Sequence, residues 1–149
     1  MAIKTYLDTN VFFIGLTNMQ TNSNLILENI DLIDLILCQY LIDECLEVSR
    51  REKGKEWAAL ARDFMVNLDY TFIEDEKLAS LEDRYRNYVD DEDDLPHICA
   101  YFASGAERFV TTNRRLTKMK VKEFVNFASP KEFAENVLGM KSLDTQDGI

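Results

Sequence analysis

The sequence has little glycine, proline, cysteine or histidine, and each shortage excludes a class of protein. The 149 residues include only 5 glycines and 2 prolines, which excludes collagen-like and linker-like chains. The three cysteines form no CxxC pair, and with one histidine they cannot make a convincing zinc site. We expect them to be buried, reduced thiols. The lone His97 also argues against Ser-His-Asp or Cys-His catalysis, because no nucleophile lies near it at a recognisable spacing.

Long hydrophobic runs and positive charge are scarce as well. Apolar runs such as residues 35–42 fall far short of the roughly 20 residues that a membrane span needs. Residues 1–8 contain no apolar secretory segment, so we expect a cytoplasmic protein without membrane association. Lys and Arg number 17 against 27 Asp and Glu, a formal net charge of −10. This balance argues against binding to nucleic acid through overall charge, although it permits a local basic patch.

What remains is typical of one α/β domain. The chain is 46% hydrophobic and 30% charged, enough to build a packed core. We predict a single domain over residues 1–140 and a frayed tail over 141–149. Strands are predicted at residues 3–7, 35–40, 70–73, 108–112 and 124–127. Helices are predicted after Thr9 or Asn10, near 25, over 41–51, 55–68, 77–89 and 95–104, and from 130. This alternation predicts a three-layer α/β/α sandwich with a mostly parallel central sheet.

Carboxylates are abundant, and three of them occupy positions of interest. Asp8 directly follows the first predicted strand, at the sheet edge where α/β folds bind ligands, although it also suits a helix cap. Glu44 shares a helix face with Leu41 and Val48, so its charge needs either a partner such as a cation or access to solvent. Asp94 ends an acidic run, where it either caps the next helix or points at the same edge as Asp8.

Three carboxylates converging from separate strand and helix ends predict an oxygen-only pocket. Such a pocket suits the hard cations Mg²⁺ or Mn²⁺, which retain several waters and leave room for substrate phosphates. The cation relieves the mutual repulsion of the acids, so the cluster makes chemical sense only with a metal.

A basic segment follows the fourth predicted strand, next to the predicted pocket. It contains no acid, and its cations are Arg114, Arg115, Lys118, Lys120 and Lys122. Contacts of this kind to phosphates supply most non-specific affinity for nucleic acids. A basic loop that only faces solvent explains the same pattern equally well.

Four segments occur in the order typical of the PIN-domain family, which the chain resembles from about residue 3 to 138. They are 6–11 (YLDTNV), 41–45 (LIDEC), 94–100 (DLPHICA) and 109–116 (FVTTNRRL). Residues 129–133 (SPKEF) also resemble the start of the family's last helix. The resemblance implies a Mg²⁺- or Mn²⁺-dependent nuclease, most often a ribonuclease that hydrolyses RNA. Many members of this length are VapC-type toxins, which implies a small antitoxin partner and a homodimer.

The resemblance also implies roles for individual residues. Asp8, Glu44 and Asp94 match the three principal acids, which hold the metal and are catalytic in the family. Asn10 matches a polar residue beside the first acid that orients substrate or water. Asn113 stands where many relatives carry a fourth acid, so the number of metal ions is left open.

The residues around these positions leave further questions open. Asp91 or Asp93 could compensate for the neutral Asn113. Arg114 and Arg115 are the candidate substrate contacts nearest to that position.

Two other functions are compatible with the residues. One is a PIN-like domain that binds a partner or RNA and cuts nothing, because Asn113 weakens its site. The other is a phosphotransfer enzyme with Asp8 as nucleophile. Haloacid-dehalogenase-like enzymes carry a second aspartate two residues on, where this chain has Asn10, which argues against that function.

Overall fold

The strands form one parallel sheet. A computed structural model of the chain describes residues 2–144, and within this range five strands pair in the order β3-β2-β1-β4-β5. All of their pairings are parallel. The strands are β1 (Ile3–Leu7), β2 (Ile33–Cys38), β3 (Thr71–Ile73), β4 (Arg108–Val110) and β5 (Phe127–Ala128).

Helices connect the strands and cover the sheet. They are α1 (Thr9–Thr17), α2 (Asn22–Glu28), α3 (Gln39–Lys53), α4 (Lys55–Val66), α5 (Asp75–Tyr85), α6 (Leu95–Ser104) and α7 (Pro130–Asn136). Helix α1 packs against α2 and α3, α2 packs against α7, and α5 packs against α6. Gly105 ends α6 in the left-handed conformation, with φ 69°, which glycine adopts without strain. Ser129 and Glu132 form a capping box at the start of α7.

The core lies on both faces of the sheet. Tyr6 and Leu7 in β1 are fully buried, as are Ile36 and Leu37 in β2. Because successive side chains of a strand point to opposite faces, burial of neighbouring residues requires cover on both sides. The predicted three-layer α/β/α sandwich is confirmed, and its sheet is parallel throughout the described residues.

The strand order creates a switch point at the carboxyl ends of β1 and β4. From β1 the chain proceeds outward through β2 and β3, and it later returns to the other side of β1 to form β4 and β5. Ligands of parallel α/β sheets bind where the strand order reverses in this way. Asp8 and Thr111 are the residues that directly follow these two strands, and the Asp8 amide donates to the Val110 carbonyl at 3.0 Å.

Most predicted elements are confirmed, with differences at their ends: β2 spans Ile33–Cys38 rather than 35–40, β4 ends at Val110 rather than 112, and α5 spans Asp75–Tyr85 rather than 77–89. Asp8 caps α1, one of the roles that the sequence allows for it, because its carboxylate accepts the Thr9 amide; the other two cap candidates, Thr9 and Asn10, lie inside the helix. The last strand begins at Phe127 rather than residue 124. The chain from Val121 to Val125 instead makes a helical turn that buries both valines and leaves Phe124 exposed, so the apolar spacing there is helical.

The remaining fold predictions concern the cysteines, membrane spans and the tail. Cys38, Cys45 and Cys99 are buried free thiols, as predicted. None of the helices formed within residues 2–144 has the length and apolar content needed to cross a membrane. The predicted tail lies partly beyond the described residues, which exclude 145–149, and before that point the Leu143 amide donates to Asn22 Oδ1 at 2.7 Å.

Candidate metal centre

Asp8 is fixed at the carboxyl end of β1 by hydrogen bonds to both of its oxygens. Its Oδ1 accepts the Thr9 amide at 2.7 Å, and its Oδ2 accepts the Thr111 hydroxyl at 2.7 Å. The residue is only 8% exposed. These bonds join the ends of β1 and β4 and leave little freedom in the orientation of the carboxylate.

Glu44 reaches the same place from the second turn of α3. Its Oε1 accepts the Thr9 hydroxyl and lies 2.9 Å from His97 Nε2. Burial raises the pKa of Glu44, but the hydrogen bond and charge of His97, with the Thr9 bond, outweigh burial and hold the pKa below its usual value. The carboxylate that interrupts the apolar face of α3 is therefore ionised, partly buried and partnered.

His97 is a buried histidine between Tyr6 and Glu44. Its ring is 2% exposed, and its Nδ1 lies 2.5 Å from the Tyr6 hydroxyl. Its Nε2 faces Glu44 and lies 3.9 Å from Asp8 Oδ1. Burial lowers the pKa of His97, but the hydrogen bond with Glu44 and the charges of Asp8 and Glu44 raise the pKa by more, so the net shift is upward.

Asp94 lies at the start of α6 with a carboxylate that is not used as a cap. Its side chain makes no capping hydrogen bond to the described turn that follows. Its Oδ2 is buried, and no hydrogen-bond partner for that atom lies within residues 2–144. Burial, together with the negative charges of Asp8 and Asp91, raises the pKa of Asp94 to about 6. Such an oxygen is unfavourable unless a cation or proton meets it.

These side chains fit a divalent cation. Single ligand atoms from Asp8, Glu44 and His97 lie within 4.8 Å of one another. Asp94 is outside that group, yet it is near enough for its charge and that of Asp8 to repel. The group thus offers two carboxylate oxygens and one imidazole nitrogen, and carboxylate oxygens are the ligands that Mg²⁺ and Mn²⁺ prefer.

Asn10 and Asn113 lie just beyond the carboxyl ends of β1 and β4, respectively. Asn10 is half-buried in the first turn of α1. Asn113 Oδ1 accepts the backbone amides of Arg115 and Leu116, at 3.0 and 3.2 Å, so this atom stabilises the turn after β4. The Asn113 amide donates to the Thr111 hydroxyl at 3.0 Å. The backbone of Asn113 therefore helps to orient the Thr111 hydroxyl, and this hydroxyl in turn helps to orient the Asp8 carboxylate.

Asp91 and Asp93, the two acids that could replace a fourth carboxylate, make contacts within the loop before α6 and with neighbouring side chains. Asp91 Oδ1 accepts the Asp93 amide at 2.9 Å, and Asp91 Oδ2 lies 3.2 Å from the Arg115 guanidinium. Asp93 is exposed, and its carbonyl accepts the Tyr40 hydroxyl at 3.0 Å. Both residues contribute to the loop before α6, and Asp91 adds negative charge beside Asp94.

The basic segment lies at the surface between β4 and β5. All five of its cations are exposed: Arg114, Arg115, Lys118, Lys120 and Lys122. The ion pair of Arg115 with Asp91 attaches the start of this segment to the loop that carries Asp94. The segment therefore begins at the rim of the acidic site.

Sequence reasoning missed three polar residues of the site: Thr9, Thr111 and His97. Thr111 follows β4 as Asp8 follows β1, so the strand-end rule that selected Asp8 could have selected it. His97 is three residues after Asp94, on the same face of α6, and this spacing is the only sequence signal for it. Thr9 looks like an ordinary first-turn residue.

Comparison with known proteins identifies the fold. No protein-family model matches the sequence, and no curated protein matches it. Among solved structures, the chain is similar to VapBC2 from Rickettsia felis bound to a DNA fragment from its promoter. That match has a TM-score of 0.57 and 14% identity, and it covers 84% of this chain and 97% of the other.

A second similar structure is Mycobacterium tuberculosis VapC20, described as a sarcin-ricin-loop-cleaving toxin. Here the TM-score is 0.56 and the identity 10%, and the match covers 70% of this chain and 86% of the other. At such identities the likeness establishes the fold alone. The sandwich is PIN-like, as the resemblance in sequence implied.

Proposed function

We propose that the protein is a Mg²⁺- or Mn²⁺-dependent endoribonuclease, acting in the cytoplasm as the toxin of a toxin–antitoxin pair. Asp8, Glu44 and Asp94 hold one cation at the carboxyl edge of the sheet. The observation that carries the proposal is the buried Oδ2 of Asp94, which has no hydrogen-bond partner within residues 2–144 and lies near enough to Asp8 and Asp91 for their charges to raise its pKa. A cation at this position would remove the repulsion that the fold otherwise imposes on these acids.

The residues of the site divide the work of the reaction. A divalent cation bound there would supply an activated water and would neutralise charge on the scissile phosphate. Asp8 is held in one orientation by the Thr9 amide and the Thr111 hydroxyl. Glu44 is held by the Thr9 hydroxyl. No protein nucleophile is needed, because the reaction is hydrolysis of a phosphodiester bond by water.

The basic segment is the proposed contact with RNA. Arg114 is exposed and Arg115 lies beside Asp91 at the rim of the site, so both can reach phosphates next to the scissile bond. In a chain with a net charge of −10, this local patch is what makes approach of a polyanion favourable. The more distant lysines extend the contact along the strand.

Partners are proposed from the neighbours in structure. The VapBC2 structure is that of a complex on promoter DNA, which supports a small DNA-binding antitoxin as the partner of this chain. The description of VapC20 as a toxin that cleaves the sarcin-ricin loop supports structured RNA as the substrate. We further propose that the protein is a homodimer, as the family resemblance implies.

The proposed activity is tested by cleavage of RNA with and without metal. With Mn²⁺ or Mg²⁺, the purified protein should cut single-stranded and stem-loop RNAs. Chelation with EDTA should reduce the rate about 100-fold or more, and added Mn²⁺ should restore it. Absence of cleavage across varied RNAs, with RNA or partner binding retained, would favour the alternative of a PIN-like binding domain.

Thr111→Val is expected to weaken metal binding without changing a metal ligand. The Thr111 hydroxyl orients Asp8, and loss of such a supporting bond typically costs about 10- to 100-fold in metal affinity. The measurement is the Mn²⁺ dissociation constant, obtained by titration calorimetry.

The neighbouring Thr112 provides a matched control. Its Oγ1 is buried, and no partner for it lies in the described part of the chain, so Thr112→Val should leave the dissociation constant unchanged. Equal effects of the two substitutions would contradict the role given to Thr111.

A further inference from the structure

Two buried side chains, Tyr6 and His97, form a hydrogen-bonded chain that ends at the partly buried Glu44 of the acidic site. The Tyr6 hydroxyl lies 2.5 Å from His97 Nδ1, and His97 Nε2 lies 2.9 Å from Glu44 Oε1. Tyr6 comes from β1, Glu44 from α3 and His97 from α6, so the chain links three separate elements. Tyr6 is 0% exposed and His97 is 2% exposed, so water does not compete for the bond between them.

In the neutral form of His97, the contacts of the ring favour one tautomer; in the doubly protonated form, Nε2 likewise donates to Glu44. Tyr6 is a neutral phenol, because burial raises its pKa well above the usual value. Its hydroxyl can donate to Nδ1, which leaves the ring proton on Nε2, facing Glu44. The opposite tautomer would place the Nε2 lone pair against a carboxylate oxygen. Each hydrogen bond of the chain then has one proton and one acceptor.

We propose that His97 is a positioning residue for the metal centre: it donates from Nε2 to Glu44 Oε1, with its tautomer set by Tyr6. The proposal rests on the function given above. Oε1 then accepts from both Thr9 and His97, so Oε2 is the oxygen that Glu44 would offer to a cation. In many metal sites a neighbouring group orients a metal-ligating side chain in this way, by a hydrogen bond to the atom of that side chain that does not bind the metal.

Direct ligation by His97 is the competing role, since Nε2 lies within 4.8 Å of ligand atoms from Asp8 and Glu44. Ligation needs an unprotonated Nε2, and the single ring proton must then move to Nδ1. The Tyr6 oxygen would then accept from Nδ1, and its O–H would have to point towards the Cys38 sulfur, a weak acceptor at 3.9 Å. Ligation by His97 would also remove one of the two hydrogen bonds that Glu44 Oε1 accepts. The observed contacts therefore favour positioning over ligation.

The test compares three variants by their Mn²⁺ dissociation constants. His97→Leu removes the donor and should weaken binding about 10- to 100-fold. His97→Gln retains an N–H donor at nearly the same position and should bind within about threefold of the wild-type value. Ile98→Val, at a fully buried neighbour on α6, is the control for altered packing and should bind as the wild type does.

Tyr6→Phe keeps the ring and removes only the hydroxyl, so it serves even if His97→Leu does not fold. It should weaken Mn²⁺ binding about 3- to 10-fold in the wild type. In the His97→Gln protein it should have no further effect, because glutamine has no tautomer for Tyr6 to select. This non-additivity is a result that a purely structural role of the tyrosine would not produce.

Spectroscopy of the wild-type protein separates the two roles directly. Electron spin echo modulation of bound Mn²⁺ should show no directly coordinated imidazole nitrogen. A directly bound nitrogen, or unchanged affinity in a folded His97→Leu protein, would overturn the proposal while leaving the metal site intact. If the wild type binds no Mn²⁺ at all, the proposed function fails, and this inference fails with it.

Discussion

Replacing Asp8 with asparagine is expected to lower the rate of RNA cleavage about 1,000-fold. A catalytic cation contributes several kcal/mol to transition-state stabilisation, and each 1.36 kcal/mol is a factor of about ten in rate. The amide carries no charge and holds a divalent cation far less tightly than the carboxylate. The measurement is the single-turnover rate of RNA cleavage at saturating protein and fixed Mn²⁺.

The fold should survive this substitution. The asparagine oxygen can still accept the Thr9 amide, and the Thr111 hydroxyl can turn to accept from the new NH₂ group. Asp43→Asn is the matched control, because it removes the same charge from an exposed aspartate whose Oδ1 accepts from Gln39 Nε2 at 2.8 Å. It should retain full activity. Cleavage by Asp8→Asn at the wild-type rate would point to a contaminating nuclease or to a different site.

Asp94→Asn is expected to stabilise the metal-free protein while it abolishes metal-dependent cleavage. The shift of the Asp94 pKa from 3.8 to about 6 corresponds to at most about 3 kcal/mol of unfavourable ionisation in the folded state. Because Asp94 is only half-buried, we discount this to about 1 kcal/mol, or about 3 °C in melting temperature. Activity should fall as steeply as for Asp8→Asn, because a ligand oxygen is lost.

The stabilisation should depend on pH in a specified direction. A carboxyl whose pKa is raised in the folded state destabilises that state when it is ionised, so the cost is full above about pH 6. The cost decreases as the pH falls and is absent below about pH 4, near the unfolded value. The difference in melting temperature between Asp94→Asn and wild type should therefore be largest at pH 7 to 8. A difference that is independent of pH would contradict this origin.

Metal should reverse the order of the melting temperatures of the wild type and Asp94→Asn. Added Mn²⁺ should raise the melting temperature of the wild type by mass action and leave Asp94→Asn nearly unchanged. Equal stabilisation of both proteins by Mn²⁺ would show that Asp94 is not a ligand.

The fold was predictable because its strands are short apolar segments bounded by polar residues. β1 was predicted to the residue, since Ile3 to Leu7 is followed at once by Asp8, Thr9 and Asn10. The start of β5 was not predictable, because residues four apart, such as Val121 and Val125, lie on the same face in a strand and in a helical turn. Only the packing of Val121 and Val125 decides between them.

The site was predictable only in part, for a related reason. Asp8 at a strand end and Glu44 on an apolar helix face carry local signals, and the structure brings both to the switch point. Whether Asp94 caps α6 or faces the acids depends on backbone angles and burial, which its neighbours in sequence do not determine. The contact of His97 with Glu44 joins residues 53 positions apart, so no spacing rule could reveal it.

The claim on which the account depends is that Asp8, Glu44 and Asp94 share one divalent cation. The most direct measurement is the anomalous difference density of crystals grown with Mn²⁺. The account predicts a single strong peak at the carboxyl ends of β1 and β4, bonded to carboxylate oxygens of all three residues. A peak elsewhere, or none at this edge at saturating Mn²⁺, would contradict it.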